Sequence, residues 1–538
     1  MKKTLLILLT VGSFLGLRAQ DQTTNTTQEK NTITHDWFNQ SPVEDQIYGA
    51  EIDKAYELVK DKSATSVIVA VIDGGVDINH EDLKENMWIN IDEIPDNGID
   101  DDKNGYIDDI HGWNFLGNAE GDNIAHENLE ITRIYKKYHQ KFSDIKKSQL
   151  NDQEKELYAL YKEAAKRYQK SLKDAKRQKE GFTKYKNKYH DAYESIANVL
   201  QTDSIEIDEL DSLKEANRKY KKEIKRIYNF VKFGISDNIF EKIESQVDVV
   251  LDYHLNTDYN PREIIDDDVT DMNEYYGNNN VYGPEAFHGT FVSGIIAAKR
   301  SNELGIDGIA KNAKIMALKV VPDGDERDKD VAKAIRYAVD NGARIINMSF
   351  GKDLSPYKYL VDEAVLYAQE NDVLLVHAAG NDANDIDKVK QYPTKIIDDN
   401  TLVNTWITVG ANTKIRNREF AASFTNYGDE MVDIFAPGSR VKSLAPENNY
   451  QIADGTSFSA PVVSGVAALI LSYYPQLSAT EVKDIIQKSA LTYPDLKVYK
   501  PKKGFRLFYW RTKFKKLSYT GGIVSAYEAL KIADKYNK

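Results

Sequence analysis

The chain of 538 residues contains no cysteine. Disulfide staples, thiol nucleophiles and lipid attachment through cysteine are therefore excluded. An excess of basic charge is also lacking: the formal net charge is −13, which argues against a nucleic-acid partner and favours solubility and cation binding. Past Leu17 no apolar run is long enough to span a bilayer, so no membrane span is expected in the mature chain. Between residues 127 and 232 there is no proline and Gly181 is the sole glycine, so little there interrupts long helices. What is present, 41 % hydrophobic residues over this length, suffices for one large core and an additional unit.

The basic start Met1-Lys2-Lys3 and the apolar stretch from Thr4 to Leu17 read as an export signal ending near Ala19. Residues 20–48 are mostly polar and read as a flexible leader. The mature protein is then expected in the periplasm or outside the cell.

Three distant stretches carry residues suited to hydrolysis. Ser66 to Ile72 is apolar and β-branched, as in a strand buried on both faces of a parallel sheet, and Asp73 stands at its C-terminal edge, where open α/β sheets build sites. His288 precedes Gly289, Thr290 and the small apolar run Val292 to Ala298, which suits a tightly packed helix with the imidazole near its start. Ser457 follows Gly455 and Thr456 and precedes Ala460 to Leu469, a buried helix with Pro461 in its first turn. Backbone N–H groups at such a helix start can stabilise an oxyanion. Taken singly, each has a blander reading as a cap, a turn residue or a satisfied histidine.

In the order aspartate, histidine, serine, these stretches resemble the subtilisin-like serine peptidases, the subtilase family. The resemblance extends to Asn347-Met348-Ser349-Phe350-Gly351, Ala378-Ala379-Gly380-Asn381 and Phe435-Ala436-Pro437-Gly438, and covers residues from about 49 to 118 and from about 265 to 530. It implies a three-layer α/β fold with a central parallel sheet and a serine endopeptidase mechanism. Ser457 would be the nucleophile, His288 the base, Asp73 its orienting acid and Asn381 the oxyanion donor. The backbone of Ser349, Phe350, Gly351, Ala378, Ala379 and Gly380 would pair with an extended polypeptide substrate. The two glycines, Gly351 and Gly380, suggest a roomy pocket for a large apolar side chain. Gly74 stands where the family usually has a hydroxyl residue, and Phe291 where many members have a second histidine. The leader is too short for a full-sized folded propeptide.

His288 follows Asp73 by 215 positions, far more than the family needs, so residues 119–262 read as an insertion between parts 49–118 and 263–538. Tyr158, Tyr161, Ala165 and Tyr168, then Tyr185, Tyr189 and Tyr193, recur at helical spacing. Two or three long helices are expected, broken near Glu180 to Phe182 and again near Thr202 to Ile207, forming a helical hairpin or coiled-coil-like arm. Such an arm could bind a protein partner, inhibit the site, or be a solvated appendage.

The run from Asp100 to Asp109 offers oxygen donors at Asp100, Asp102, Asn104 and Asp108 around Gly105, with His111 where a complete loop has glutamate. A partial calcium loop is expected, with calcium in a structural role. Asp82 resembles another calcium ligand of the family, but its expected partner loop near Ser301 to Ile306 differs. The competing function is a non-catalytic binding or scaffold protein on the same fold, using the helical insertion as its working surface.

Overall fold

The computed structural model describes residues 36–235, 237–398, 401–503 and 510–536. The export signal and the start of the leader lie outside the described residues. Two compact units are present: a helical unit of residues 128–259 and a sheet unit formed by the rest.

The sheet unit is built on nine strands, β1 Val67–Asp73, β2 Gly112–Asn114, β3 Ala313–Lys319, β4 Ile345–Met348, β5 Leu374–Ala378, β6 Trp406–Asn412, β7 Ile434–Pro437, β8 Leu491–Thr492 and β9 Gly522–Ile523. Their order is β8-β9-β7-β6-β5-β4-β1-β3-β2. All neighbours are parallel except the β8–β9 pair at the edge. β1 lies between β3 and β4, with Asp73 opposite Lys319 and Ile72 opposite Met348.

Successive strand residues face opposite sides, and both sides are apolar, so the sheet is covered twice. Val67, Val69 and Val71 join one core with the Ala286–Ala297 and Thr456–Tyr473 helices. Ala70 and Ile72 join a second core with the Asp328–Asp340 and Lys358–Glu370 helices. Each fully buried aliphatic side chain of this kind contributes about 1.5–3 kcal/mol relative to exposure. The result is three layers, helix on sheet on helix, as the sequence implied. Among the described residues, one helix, Thr456–Tyr473, is long and apolar enough to cross a membrane, and it lies almost wholly buried. Its apolar residues cover every side because protein surrounds it.

Three expectations about the elements need correction. Trp37 and Phe38, assigned to a flexible leader, are buried in the first core, because two adjacent aromatics gain more from burial than the polar residues around them lose. Pro461 sits in the second turn of its helix, which starts at Thr456. The break near Glu180 to Phe182 is absent: Asp152–Leu200 is one helix of 49 residues.

That long helix begins with a reciprocal cap between Asn151 and Glu154 and ends where Gln201 adopts a left-handed conformation. Its first half packs on the Glu130–Phe142 helix through Phe142, Tyr161 and Ala165. Its second half packs on the Lys221–Lys232 and Asn238–Val249 helices through Phe182, Tyr189 and Ile196. The ring of Tyr189 lies 4.7 Å from that of Phe230 and 4.9 Å from that of Phe240. These contacts hold Gly181 inside a continuous helix, although glycine there costs about 1 kcal/mol relative to alanine. The two ends of the unit are tied together, since Leu129 N–H donates to the His254 carbonyl at 3.0 Å and the Asn128 amide donates to Tyr253 O and Asn256 O.

Residues 119–127 and 260–262, expected within the insertion, belong to the sheet unit. Ile124 enters its second core, and buried Arg262 is paired with Asp330, Asp267 and Glu127.

Candidate active site

Asp73 is the last residue of β1, so its side chain stands at the carboxyl end of the sheet. It is almost fully buried, and Gly74 N–H donates to Oδ1 at 2.8 Å. That backbone bond acts where a hydroxyl on residue 74 was missed. His288 lies in the first turn of the Ala286–Ala297 helix, and its Nδ1 is 2.8 and 2.9 Å from the two carboxylate oxygens of Asp73. Gly289 allows this approach: a Cβ there would stand 2.2 Å from the Gly75 carbonyl oxygen and 3.1 Å from Asp73 Cβ. Burial disfavours the imidazolium, but the charge of Asp73 and its hydrogen bond outweigh that, and the His288 pKa lies above its ordinary 6.5. With 32 % of the side chain exposed, one edge of the ring meets solvent. Phe291 packs on Phe458 with ring centroids 4.3 Å apart, filling core space where a second histidine was the alternative.

Ser457 is the second residue of the Thr456–Tyr473 helix and is half-buried. Its hydroxyl donates to the Ser349 carbonyl oxygen at 3.1 Å rather than to the imidazole. Pro461 has no N–H, so the Ser457 carbonyl lacks its usual helical donor four residues on. Ser349 Oγ supplies one at 2.8 Å. Asn347 Nδ2 donates to that hydroxyl, and Ser464 Oγ donates to Asn347 Oδ1, each at 2.9 Å. This buried chain couples the end of β4 to the turn that carries Ser457.

Asn381 follows β5 and is exposed. Its Oδ1 accepts from Thr456 N–H at 2.9 Å and from Thr456 Oγ1 at 3.0 Å. A backbone N–H can only donate, so the atom facing it is the amide oxygen and Nδ2 points elsewhere. Thr456 Oγ1 in turn accepts from Gly380 N–H at 3.0 Å. Sequence reading missed Thr456, although its place one residue before Ser457 was a usable signal.

Ser349 to Gly351 and Ala378 to Gly380 leave the adjacent strands β4 and β5. Tyr392 flanks the first segment, through Lys352 N–H to Tyr392 O at 2.9 Å and Tyr392 N–H to Lys352 O at 2.8 Å. The His377 ring donates from Nε2 to Phe350 O at 2.9 Å. Burial lowers the His377 pKa to about 4, so this ring is neutral and its Nε2 carries the proton.

In the acidic loop, one oxygen each from Glu93, Asp100 and Asp102 lie within 4.8 Å of one another. Glu93 was missed, because it reaches the loop through chain folding and not through spacing. Asn104 Nδ2 donates to Asp102 and Asp109. Asp108 lies outside this group, its carboxylate accepting from the Asn97 and Gly98 N–H groups. At the other suggested calcium position, Asp82 accepts from Asn302 Nδ2 at 2.6 Å.

The subtilase family model matches residues 64–510. Subtilisin DY of Bacillus licheniformis is 37 % identical over 212 residues, spanning 39 % of this chain and 72 % of that protein. The cell wall-associated protease of Bacillus subtilis is 33 % identical over 225 residues, spanning 41 % of this chain but only 23 % of that protein. A solved cold adapted subtilisin-like serine proteinase is 30 % identical, covering 39 % of this chain and 71 % of its own, with a TM-score of 0.33. The matched span runs through β1, the His288 helix and the Ser457 helix, and on that match the chain belongs to the subtilase family of serine peptidases.

Proposed function

We propose that the protein is an exported serine endopeptidase acting through Asp73, His288 and Ser457. The observation that carries the reading is the hydrogen bond of His288 Nδ1 to both oxygens of buried Asp73, on the same sheet edge as a serine held at a helix start. For catalysis the Ser457 hydroxyl has to leave Ser349 O for His288 Nε2, the kind of tightening that substrate brings to resting sites. Ser457 Oγ then attacks the peptide carbonyl while His288 takes the proton, and His288 returns it to the leaving amine. Asp73 holds the Nδ1–H tautomer and stabilises the cation. The oxyanion is received by Asn381 Nδ2, left available by the bond of Thr456 to Oδ1, and by the Ser457 N–H. Water repeats the sequence on the acyl-enzyme.

Calcium belongs to the same proposal as a structural ion. Hard carboxylate oxygens from Glu93, Asp100 and Asp102 suit it, and it would tie the start of the loop to its tip. The helical unit is proposed to contact protein partners through its charged surface, since Tyr161, Tyr168 and Tyr189 are buried within its own packing.

The test is covalent labelling of the signal-free protein by a fluorophosphonate, with Ser457→Ala as control and calcium present or chelated. Labelling lost only in the variant supports the nucleophile. A folded protein that never labels sinks the catalytic reading in favour of a scaffold, and labelling and unfolding indifferent to chelation remove calcium.

A further inference from the structure

Gly351 and Gly380 face one another across the crevice where β4 and β5 end, and neither contributes a side chain to fill it. The space is nevertheless crossed by a side chain from a third segment. A Cβ added at Gly351 would stand 3.2 Å from Gln391 Nε2, and one added at Gly380 would stand 2.6 Å from the same atom. The crevice is therefore narrower and more polar than two glycines imply, which corrects the roomy apolar pocket expected from sequence.

The orientation of that amide is fixed. Asn426, itself buried, donates from Nδ2 to Gln391 Oε1 at 3.2 Å and to Ala379 O at 2.8 Å. Asn426 Oδ1 accepts from the N–H groups of Asp382 and Asn384, so its own amide cannot turn. Gln391 accordingly presents Nε2, a donor, to the crevice. His377 Nε2 lies 3.6 Å from the same Gly351 Cβ position, but its proton already goes to Phe350 O. On another side Gln391 helps to line a cavity of about 270 Å³ with His377, Ala379, Tyr392, Thr408 and Met431.

From this geometry we infer that Gln391 is a specificity-determining residue, selecting substrates whose side chain before the scissile bond is short and ends in a hydrogen-bond acceptor. The inference rests on the serine peptidase reading above. A substrate strand laid between Ser349–Gly351 and Ala378–Gly380, with its carbonyl between Ser457 and Asn381, turns the preceding side chain into this crevice. An asparagine there meets the Gln391 N–H with its own carbonyl oxygen. Leucine, of nearly the same shape, leaves that donor buried and unpaired, which is the kind of mismatch that rejects a substrate strongly. Without the Gln391 amide, the crevice and the cavity behind it admit larger apolar groups.

The experiment compares fluorogenic peptides identical except for Asn or Leu before the cut, on the full chain and on Gln391→Ala and Gln391→Met. Active serine is counted first with a fluorophosphonate that carries no peptide. The unaltered protein should favour Asn over Leu by about tenfold or more in kcat/KM. Gln391→Ala should reverse the order, and Gln391→Met, which keeps the length, should lose the preference if the alanine variant fails to fold. Titratable serine with Leu preferred, or with a ratio unchanged in the variants, overturns the role of Gln391 alone. No titratable serine in the folded protein overturns the peptidase reading and this inference with it.

Discussion

The sheet unit and the helical unit bury themselves with different side chains. In the sheet unit the strands carry Val, Ile, Ala and Leu on both faces, and two large cores, mainly aliphatic at the strands but including rings such as Phe291, Phe458 and Trp406, clamp the sheet between helices. The helical unit closes its core around rings, with Phe182, Tyr189, Phe230 and Phe240 clustered on one half of its long helix and charged residues between the aromatic positions. β-Branched layers packed on two sides fix strand ends tightly; Asp73 stands on such an end, and His288 and Ser457 lie in the first turns of helices whose apolar residues pack on the sheet. An aromatic stripe on a single helix face fixes only how helices lie on one another. The sheet unit has the architecture for chemistry, and the helical unit has that of a self-contained scaffold.

The largest expected effect tests whether the two cores are independent. Phe240 is almost fully buried and contacts Phe182, Tyr189 and Phe230. Phe240→Ala should destabilise the helical unit by about 3–5 kcal/mol. All five tryptophans lie outside residues 128–259, so their fluorescence follows the sheet unit alone, while far-ultraviolet dichroism sums the helices of both units and its part that moves apart from fluorescence reports the helical unit. The variant should lose helical signal early with the tryptophan transition unmoved, and a shared shift would merge the two units into one cooperative body.

Next in size is Asn381→Ala. It removes one oxyanion donor and should lower kcat by on the order of 100- to 1000-fold, the magnitude established for such donors in subtilisins, with little change in KM. The sheet-unit transition should fall by about 0.5–2 kcal/mol, because Asn381 Oδ1 accepts from the N–H and hydroxyl of buried Thr456, while the helical unit should be unaffected. A rise in KM at constant kcat would make Asn381 a binding group instead.

The pH profile sharpens the same contrast. Catalysis needs a neutral His288, and Asp73 raises its pKa above 6.5 against the opposing effect of burial. The acid limb of kcat/KM should therefore have its midpoint above 6.5, and Asp73→Asn should move it downward. The stabilisation from the Asp73–His288 pair is fully present below 6.5 and is lost as pH rises through the raised native value. Activity thus appears over the window in which this pair stops stabilising the fold. A midpoint at or below 6.5 would separate His288 from Asp73 functionally.

How much of this was written in the sequence differs by residue. The strands were legible because β-branched runs end at Asp73, Met348 and Ala378, and the triad was legible because each member carries a local signature. Gln391 was not, since it reaches Gly351 and Gly380 only through the pairing of Tyr392 with Lys352, which no spacing reveals. Glu93 was hidden for the same reason. Trp37 and Phe38 were overlooked because a polar window outvoted two aromatics that the core required. At Gly181 local propensity pointed to a break, and tertiary packing of Phe182 and Tyr185 against Phe240 overrode it.

That override leads to the smallest effect. A Cβ added at Gly181 would meet nothing within 4 Å, and the residue lies in the middle of a regular helix, so alanine fits the native backbone without strain. Gly181→Ala restricts the unfolded chain and should stabilise the helical unit by about 0.5–1 kcal/mol. The dichroism transition should move up while tryptophan fluorescence and kcat stay where they were. Destabilisation would mean that the glycine is needed for a bend that the continuous helix does not contain, returning the break that the sequence suggested at Glu180 to Phe182. A gain in both transitions would mean that stability in the helical unit is felt in the sheet, so that one substitution outside the sheet unit decides whether the two architectures act separately.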